Sequence, residues 1–239
     1  VMSDYRFRYE KGDELKFLGH LDMMVAFQRA LKRAKLPIAF SQGFNPHQLL
    51  HFASPLPLGY TTKGDYGDMR LKEELPAQQV RLRLNEELPE GLRVLQMTSL
   101  APGAKNAMAA LAAGEYEVIL PQFAEMDFPG LAQAFFAQDQ ILEEKKTKKG
   151  MVLADIRPDL LALRGEMGPD GPKLWMQVAM GSTRNLRADV VVKALCHFGG
   201  VAFSPLVGHY TRLEMYQLEE GHLTPLGGKE TRDDAPFAF

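Results

Sequence analysis

The chain has 239 residues, of which 46% are hydrophobic, and its formal net charge is −2. This length is enough for two domains of about 100 residues each, and the charge argues against a general nucleic-acid binder, because such proteins are usually basic overall. Cys196 is the single cysteine, which excludes an internal disulfide and an iron–sulfur cluster held by several thiolates of this chain.

Residues 1–104 contain apolar patterns with the periods of strands and helices. Aromatic and basic residues alternate over 5–9, a period of two that predicts a strand. Apolar residues from position 20 onward recur every three to four positions, which predicts a helix that ends before Pro37. Further strands are predicted at 14–18, 49–53, 65–71 and 92–100, and a second helix at 77–88.

A similar order returns after an Ala- and Gly-rich segment at 101–114, which is either a short helix or a linker. Strands are predicted at 116–120, 141–145, 160–167, 174–180 and 213–218, and helices at 128–138 and 186–198. We therefore predict an α+β protein with two tandem ferredoxin-like (βαββαβ) units. The predicted domains are 1–104 and 112–220, followed by a poorly ordered tail at 221–239.

The chain contains no segment that approaches the roughly 20 apolar residues needed to cross a bilayer. Its first residues lack the apolar run of a signal peptide. Together with the lone cysteine, these features predict a cytoplasmic protein without a membrane partner.

Positive charge is concentrated near the start of the chain. Residues 1–60 carry eight Lys and Arg against five Asp and Glu, whereas residues 61–239 carry twenty against twenty-five. The excess lies on the first helix and its flank, at Arg29, Lys32, Arg33 and Lys35. A local basic patch binds phosphates even on an acidic protein. The alternative is a solvated helix face that only keeps the protein soluble.

The segment from Ser41 to Gln48 reads SQGFNPHQ and joins the basic helix to an apolar strand. Gly43 allows close approach of a ligand, and Asn45 before a proline is held in extended geometry, so the loop is stiff. Its other candidate binding residues offer hydrogen bonds, a stacking surface and a titratable ring: Ser41, Gln42, Phe44 and His47. A purely structural turn uses the same residue types and remains the alternative.

Two further clusters are candidates. His20 and Asp22 begin the basic helix and either take part in binding, cap the helix, or, for His20, pack in the core. Residues 181–187 join a strand to a helix. They form either an anion site, with Ser182, Arg184, Asn185 and Arg187, or an N-cap, with Asn185 or Ser182 as the capping residue. No established metal-ligand spacing, nucleotide-binding motif or catalytic triad motif occurs, so we predict no metal, no cofactor and no catalytic residue. Cys196 lies on an apolar helix face, which predicts a packing role.

The residues 17–22, 36–47 and 55–59, with Arg29 and Arg33, closely resemble the bacterial radical SAM-linked protein family. Residues 181–187 resemble a second, weaker motif of that family. The resemblance implies a partnership with a radical SAM enzyme of the B12-binding type, since members are fused to such enzymes or encoded beside them. One departure lies at 61–66, where a serine and a glutamate are expected and Asp65 is the one acid present.

These observations predict a non-catalytic accessory protein that recognises RNA for a radical SAM enzyme, in tRNA or rRNA modification. Two alternatives remain open. The chain is a protein-docking module that contacts the enzyme and not RNA, or it is a metal-independent RNA-processing enzyme that uses His20 or His47 as a general base.

Overall fold

The computed structural model describes residues 2–147 and 150–228. Within these residues the chain is a mixed α/β protein with a large mixed sheet and five α-helices. It divides into two compact units: unit 1 consists of Val1–Ala112 and Glu214–Phe239, and unit 2 of Ala113–Leu213. No helix of the described residues is long and apolar enough to span a bilayer.

Apart from residues 14–18, the first 112 residues of unit 1 have the element order that their apolar periods predict. Its strands and helices are β1 Ser3–Lys11, α1 His20–Arg33, β2 Leu50–Phe52, β3 Thr61–Leu71, α2 Ala77–Asn85, β4 Leu92–Ser99 and α3 Ala107–Ala110. The strands lie in the order β4–β1–β3, and β2 also pairs with β3. All three of these pairings are antiparallel.

The core of unit 1 lies where α1 covers the sheet. Phe7 and Tyr9 alternate with polar residues on β1, so both point to the helix side. Their rings meet those of Phe27 on α1 and Phe52 on β2, with neighbouring ring centroids 5.3 to 5.9 Å apart. This aromatic cluster fixes α1 against the sheet and thereby orients the helix face that remains exposed.

Unit 2 begins within the next strand and ends within β10. Its elements are β5 Leu111–Ile119, α4 Phe128–Phe136, β6 Leu142–Thr147, β7 Gly150–Asp155, β8 Leu160–Gly168, β9 Gly171–Ala179, α5 Ala188–Gly199 and β10 His209–Glu219. The strand order is β10–β5–β9–β8, and β5–β9 and β8–β9 are antiparallel. β6 and β7 form a separate two-stranded hairpin.

Two segments differ from the sequence prediction. The strand predicted at 14–18 is wrong: a 3-10 helix, Asp13–Leu15, occupies its start, with Lys16 N–H donating to the Asp13 carbonyl at 3.2 Å. This turn lets Leu15 and Leu18 pack on the core from a loop. The segment predicted as a poorly ordered tail contains strand β11, His222–Pro225, which pairs with β10. Residues 229–239 of that predicted tail lie outside the described residues.

Candidate functional site

The SQGFNPHQ segment is the tip of a hydrogen-bonded hairpin in unit 1. The Leu49 N–H donates to the Ala39 carbonyl, and the Ser41 N–H donates to the His47 carbonyl, both at 2.8 Å. Phe40 and Gln48 form an isolated antiparallel bridge between these two bonds. We call this segment, from Ala39 to Leu49, the 39–49 hairpin. Main-chain hydrogen bonds between its two arms hold its tip in place.

Ser41 and His47 are also joined through their side chains. The serine Oγ lies 2.8 Å from Nδ1 of the imidazole and accepts a bond of 3.1 Å from the His47 N–H. This pairing uses Nδ1 and leaves Nε2 for a ligand. The structure thus brings two of the predicted site residues into direct contact.

The hairpin tip presents an unusual aromatic side chain to solvent. Gly43 has a φ of 120°, a conformation that favours glycine. The next residue, Phe44, is fully exposed. Its predicted neighbours Gln42 and Asn45 are exposed as well. An exposed phenylalanine on a stiff loop is available to stack on a planar ligand.

The hairpin is fixed to the end of β3. The Ala39 N–H donates to the Arg70 carbonyl at 2.8 Å, and the Arg70 N–H donates to the Leu49 carbonyl at 3.0 Å. One residue further, the Lys72 N–H donates to the Pro37 carbonyl at 2.8 Å. These bonds join the hairpin to a strand that crosses the core, so its position is set by the sheet.

Two residues at the base of the hairpin were not predicted as site residues. The Lys72 ammonium lies 5.9 Å from the centroid of the Phe40 ring, which is itself partly exposed. Such a cation–π contact holds a positive charge beside an aromatic surface. We call the exposed residues Lys35, Phe40, Phe44, His47 and Lys72 the basic corner.

Not every cationic side chain on α1 is free to contact a ligand. Arg33 donates from Nε to Oε2 of Glu87 at 2.9 Å and also contacts the Glu87 carbonyl. Arg29 and Lys32 are exposed and form no hydrogen bond or ion pair with other described residues. Lys35 follows the helix with a φ of 51°, and the guanidinium of Arg83 binds its carbonyl at 2.9 Å.

His20 and Asp22 occupy the first turn of α1, but neither caps it. The N-cap is Gly19, which makes no side-chain cap bond. The His20 ring packs edge-on against Phe52, with centroids 5.6 Å apart, as the core alternative for this residue required. Asp22 is exposed near the positive end of the helix dipole, where a carboxylate is stabilised.

Asp65 is completely buried. Its Oδ1 accepts a bond of 2.7 Å from the Thr62 hydroxyl, and its Oδ2 accepts one of 3.2 Å from the Tyr9 phenol. Lys11 is also buried and donates to the Lys16 and Leu18 carbonyls at 3.4 and 3.3 Å. The Asp65 carboxylate, through its bond from Tyr9, links β1 to β3 and is not exposed to a ligand.

The second predicted cluster lies in unit 2, where carboxylates hold both of its arginines. Arg184 pairs with Asp159 and donates to the Pro158 carbonyl. Arg187 forms two bonds with Asp189, of 2.9 and 2.8 Å. The N-cap of α5 is Arg187 without a side-chain cap bond, so the capping role considered for Ser182 and Asn185 is wrong.

Chemistry-bearing side chains outside these clusters are mostly buried or paired. No group of three or more His, Cys, Asp or Glu among the described residues is placed to hold a metal ion. Cys196 is buried, and burial raises the pKa of its thiol. The Asp4 carboxylate, which accepts two bonds from Arg70, raises the pKa of that guanidinium.

The fold and the site together define a mixed α/β protein with a stiff aromatic hairpin beside exposed cations. The family model described as an uncharacterized protein conserved in bacteria, DUF2344, matches residues 4–188. The chain belongs to this family, and no curated protein matches it.

Proposed function

We propose that this chain is a non-catalytic recognition protein that binds single-stranded RNA at the basic corner. The observation that carries the proposal is the full exposure of Phe44 on a hairpin whose base is hydrogen-bonded to β3. Exposure of a phenylalanine side chain to water is unfavourable. Stacking of an unpaired base on its ring removes that apolar surface from water.

The cations at the base of the hairpin supply the electrostatic part of recognition. Lys35 and Lys72 bind phosphates, and Nε2 of His47 donates to a base edge or a phosphate oxygen. Glu73 and Glu74 follow Lys72 directly, so the positive surface is narrow and suits a single strand better than a duplex. Arg33, held by Glu87, contributes less than its position in the sequence predicts.

We further propose that both units are ferredoxin-like and that the partner is a radical SAM enzyme. The antiparallel order β4–β1–β3 with β2 on β3, and the order β10–β5–β9–β8, support the first statement. The resemblance of residues 17–59 and 181–187 to the radical SAM-linked family supports the second. Ferredoxin-like sheets are a frequent platform for RNA, which is an argument by analogy of fold. The RNA belongs to the substrates that the partner enzyme modifies, tRNA or rRNA.

Substitutions of Phe44 test the stacking contact. Phe44→Leu keeps an apolar side chain and removes the aromatic face, whereas Phe44→Tyr keeps both. We expect Phe44→Leu to weaken binding of a fluorescent single-stranded RNA about 5- to 100-fold, which corresponds to one stacked base, and Phe44→Tyr to bind like the wild type. Equal affinities for all three proteins would contradict the proposal.

A further inference from the structure

The outer face of α1 carries apolar side chains that none of the described residues of unit 1 covers. Leu21 is 74% exposed and Val25, one turn further, is 39% exposed. Phe17, just before the helix, is 71% exposed, and Leu58 is 65% exposed. The Gly59 N–H donates to the Lys16 carbonyl at 2.8 Å, which places Leu58 beside the Phe17 end of this face. Apolar side chains grouped in this way mark interaction surfaces.

Two opposite charges flank the centre of the same face. Asp22 lies three residues before Val25 and Arg29 lies four residues after it, so the seven-residue spacing puts both charges on one side of the helix, two turns apart. Both are exposed, and neither forms a hydrogen bond or ion pair with another described residue of the chain. An acid three residues before an exposed valine and a base four residues after it, on the same side of the helix, make a nearly self-complementary pattern.

We infer that this face binds a second copy of the chain, with two α1 helices antiparallel about a two-fold axis near Val25. In such an isologous contact each pairing occurs twice: Asp22 of the first copy meets Arg29 of the second, and Arg29 of the first copy meets Asp22 of the second. The two-fold axis leaves a side chain on the same flank of the helix pair and reverses the direction of the helix. It therefore brings Asp22 of each copy to Arg29 of the other, forming two ion pairs on either side of the Val25 contact.

The apolar residues fit the same arrangement. The two Val25 side chains meet at the axis, and each Leu21 lies against the aliphatic stem of an Arg29 in the other copy. Phe17, one turn before Leu21, comes opposite the Lys32 end of the second helix, where a cation contacts its ring. Burial of these side chains supplies the affinity, whereas the exposed ion pairs fix direction and register.

Charge reversal distinguishes a second copy from any other occupant. Asp22→Arg and Arg29→Asp each place like charges together twice in the dimer, so each raises the dimer dissociation constant about tenfold or more. The double variant Asp22→Arg/Arg29→Asp restores both pairs with exchanged signs, and its dimer returns. Val25→Glu abolishes association, and Leu82→Glu, at a half-exposed leucine on α2, leaves it unchanged.

The experiment is sedimentation velocity of the purified full chain and these five variants over a concentration series, with thermal unfolding as the check that each variant is folded. We expect a concentration-dependent dimer that the single reversals weaken and the double reversal recovers. A wild type that stays monomeric at every concentration overturns the inference. A dimer that survives Val25→Glu, or that the double reversal does not recover, overturns it as well and leaves the face to a different partner.

Discussion

Ser41 and His47 form a closed pair at the neck of the hairpin tip: the serine Oγ lies 2.8 Å from the imidazole Nδ1 and accepts a bond from the His47 N–H. The pair is exposed, so its net contribution to the free energy of unfolding is small. Its effect is to order the five residues between its members, which include Phe44.

Ser41→Ala should therefore loosen the tip without unfolding the protein. We expect the free energy of unfolding to change by about 1 kcal/mol or less, and the His47 amide to exchange its hydrogen faster than in the wild type. Hydrogen exchange followed by NMR measures both the tip and the core. Ser54→Ala is the matched control, since that hydroxyl has only a 3.5 Å contact with the neighbouring Pro55 carbonyl. Unchanged exchange at His47 would show that the side-chain pair does not order the tip.

Asp65 should be a sensitive polar residue of unit 1. Asp65→Ala leaves the buried Tyr9 phenol and Thr62 hydroxyl without this acceptor, which costs about 1–3 kcal/mol for each donor. Tyr9→Phe removes one bond and should cost about 1 kcal/mol. Urea unfolding of both single variants and the double variant forms a double-mutant cycle. Additive effects would contradict a direct Tyr9–Asp65 interaction.

Gly67 should tolerate no side chain. A Cβ at this position would lie 2.4 Å from the nearest atom of the Phe7 ring and 2.9 Å from the His51 carbonyl oxygen. Because Phe7 is held in the aromatic cluster, we expect Gly67→Ala to lower the free energy of unfolding by about 1–3 kcal/mol. Gly168→Ala, whose Cβ would have ordinary contacts at 3.5 and 3.6 Å, is the control strand glycine. Equal thermal midpoints for the two variants would contradict this packing.

Tyr66 should contribute to the loss of stability at alkaline pH. Burial, and after it the negative charge of Glu214, raises the pKa of the Tyr66 phenol above its ordinary value of 10.0. Below that value the phenol is neutral in both states. Above it, the phenol ionises only in the unfolded chain, so unfolding becomes more favourable as the pH rises. We expect the urea midpoint to fall less between pH 9 and about 11 in Tyr66→Phe than in the wild type. A parallel decline in both proteins would exclude this role.

Local sequence patterns were enough to predict most elements and the character of the hairpin. Gly43, Asn45 and the following proline predict a loop, and the structure has an exposed loop at that place. The 3.6-residue period predicted α1 from His20. The strand predicted at 14–18 was wrong because Leu15 and Leu18 bury their side chains from a turn, which the alternation of apolar residues does not distinguish from a strand.

Contacts between distant segments were beyond the reach of the sequence. Lys72 joins Phe40 because residues 37–40 run beside the end of β3, a register that no local pattern encodes. The same holds for Arg33, whose partner Glu87 lies 54 residues away, and for Arg184, whose partner Asp159 lies 25 residues away. Charged residues are therefore easy to recognise as candidates, but their availability to a ligand depends on the tertiary fold.

The most direct test of RNA recognition is the salt dependence of the dissociation constant for single-stranded RNA, measured by fluorescence anisotropy. Wild type is compared with Lys35→Gln/Lys72→Gln and with Lys63→Gln/Lys105→Gln, which neutralises two exposed lysines elsewhere in unit 1. We predict that binding weakens with salt, and that neutralising Lys35 and Lys72 makes the logarithmic slope shallower by about 1.4, whereas the control pair does not. Absence of binding at low salt, or equal slopes for all three proteins, would contradict RNA recognition at the basic corner.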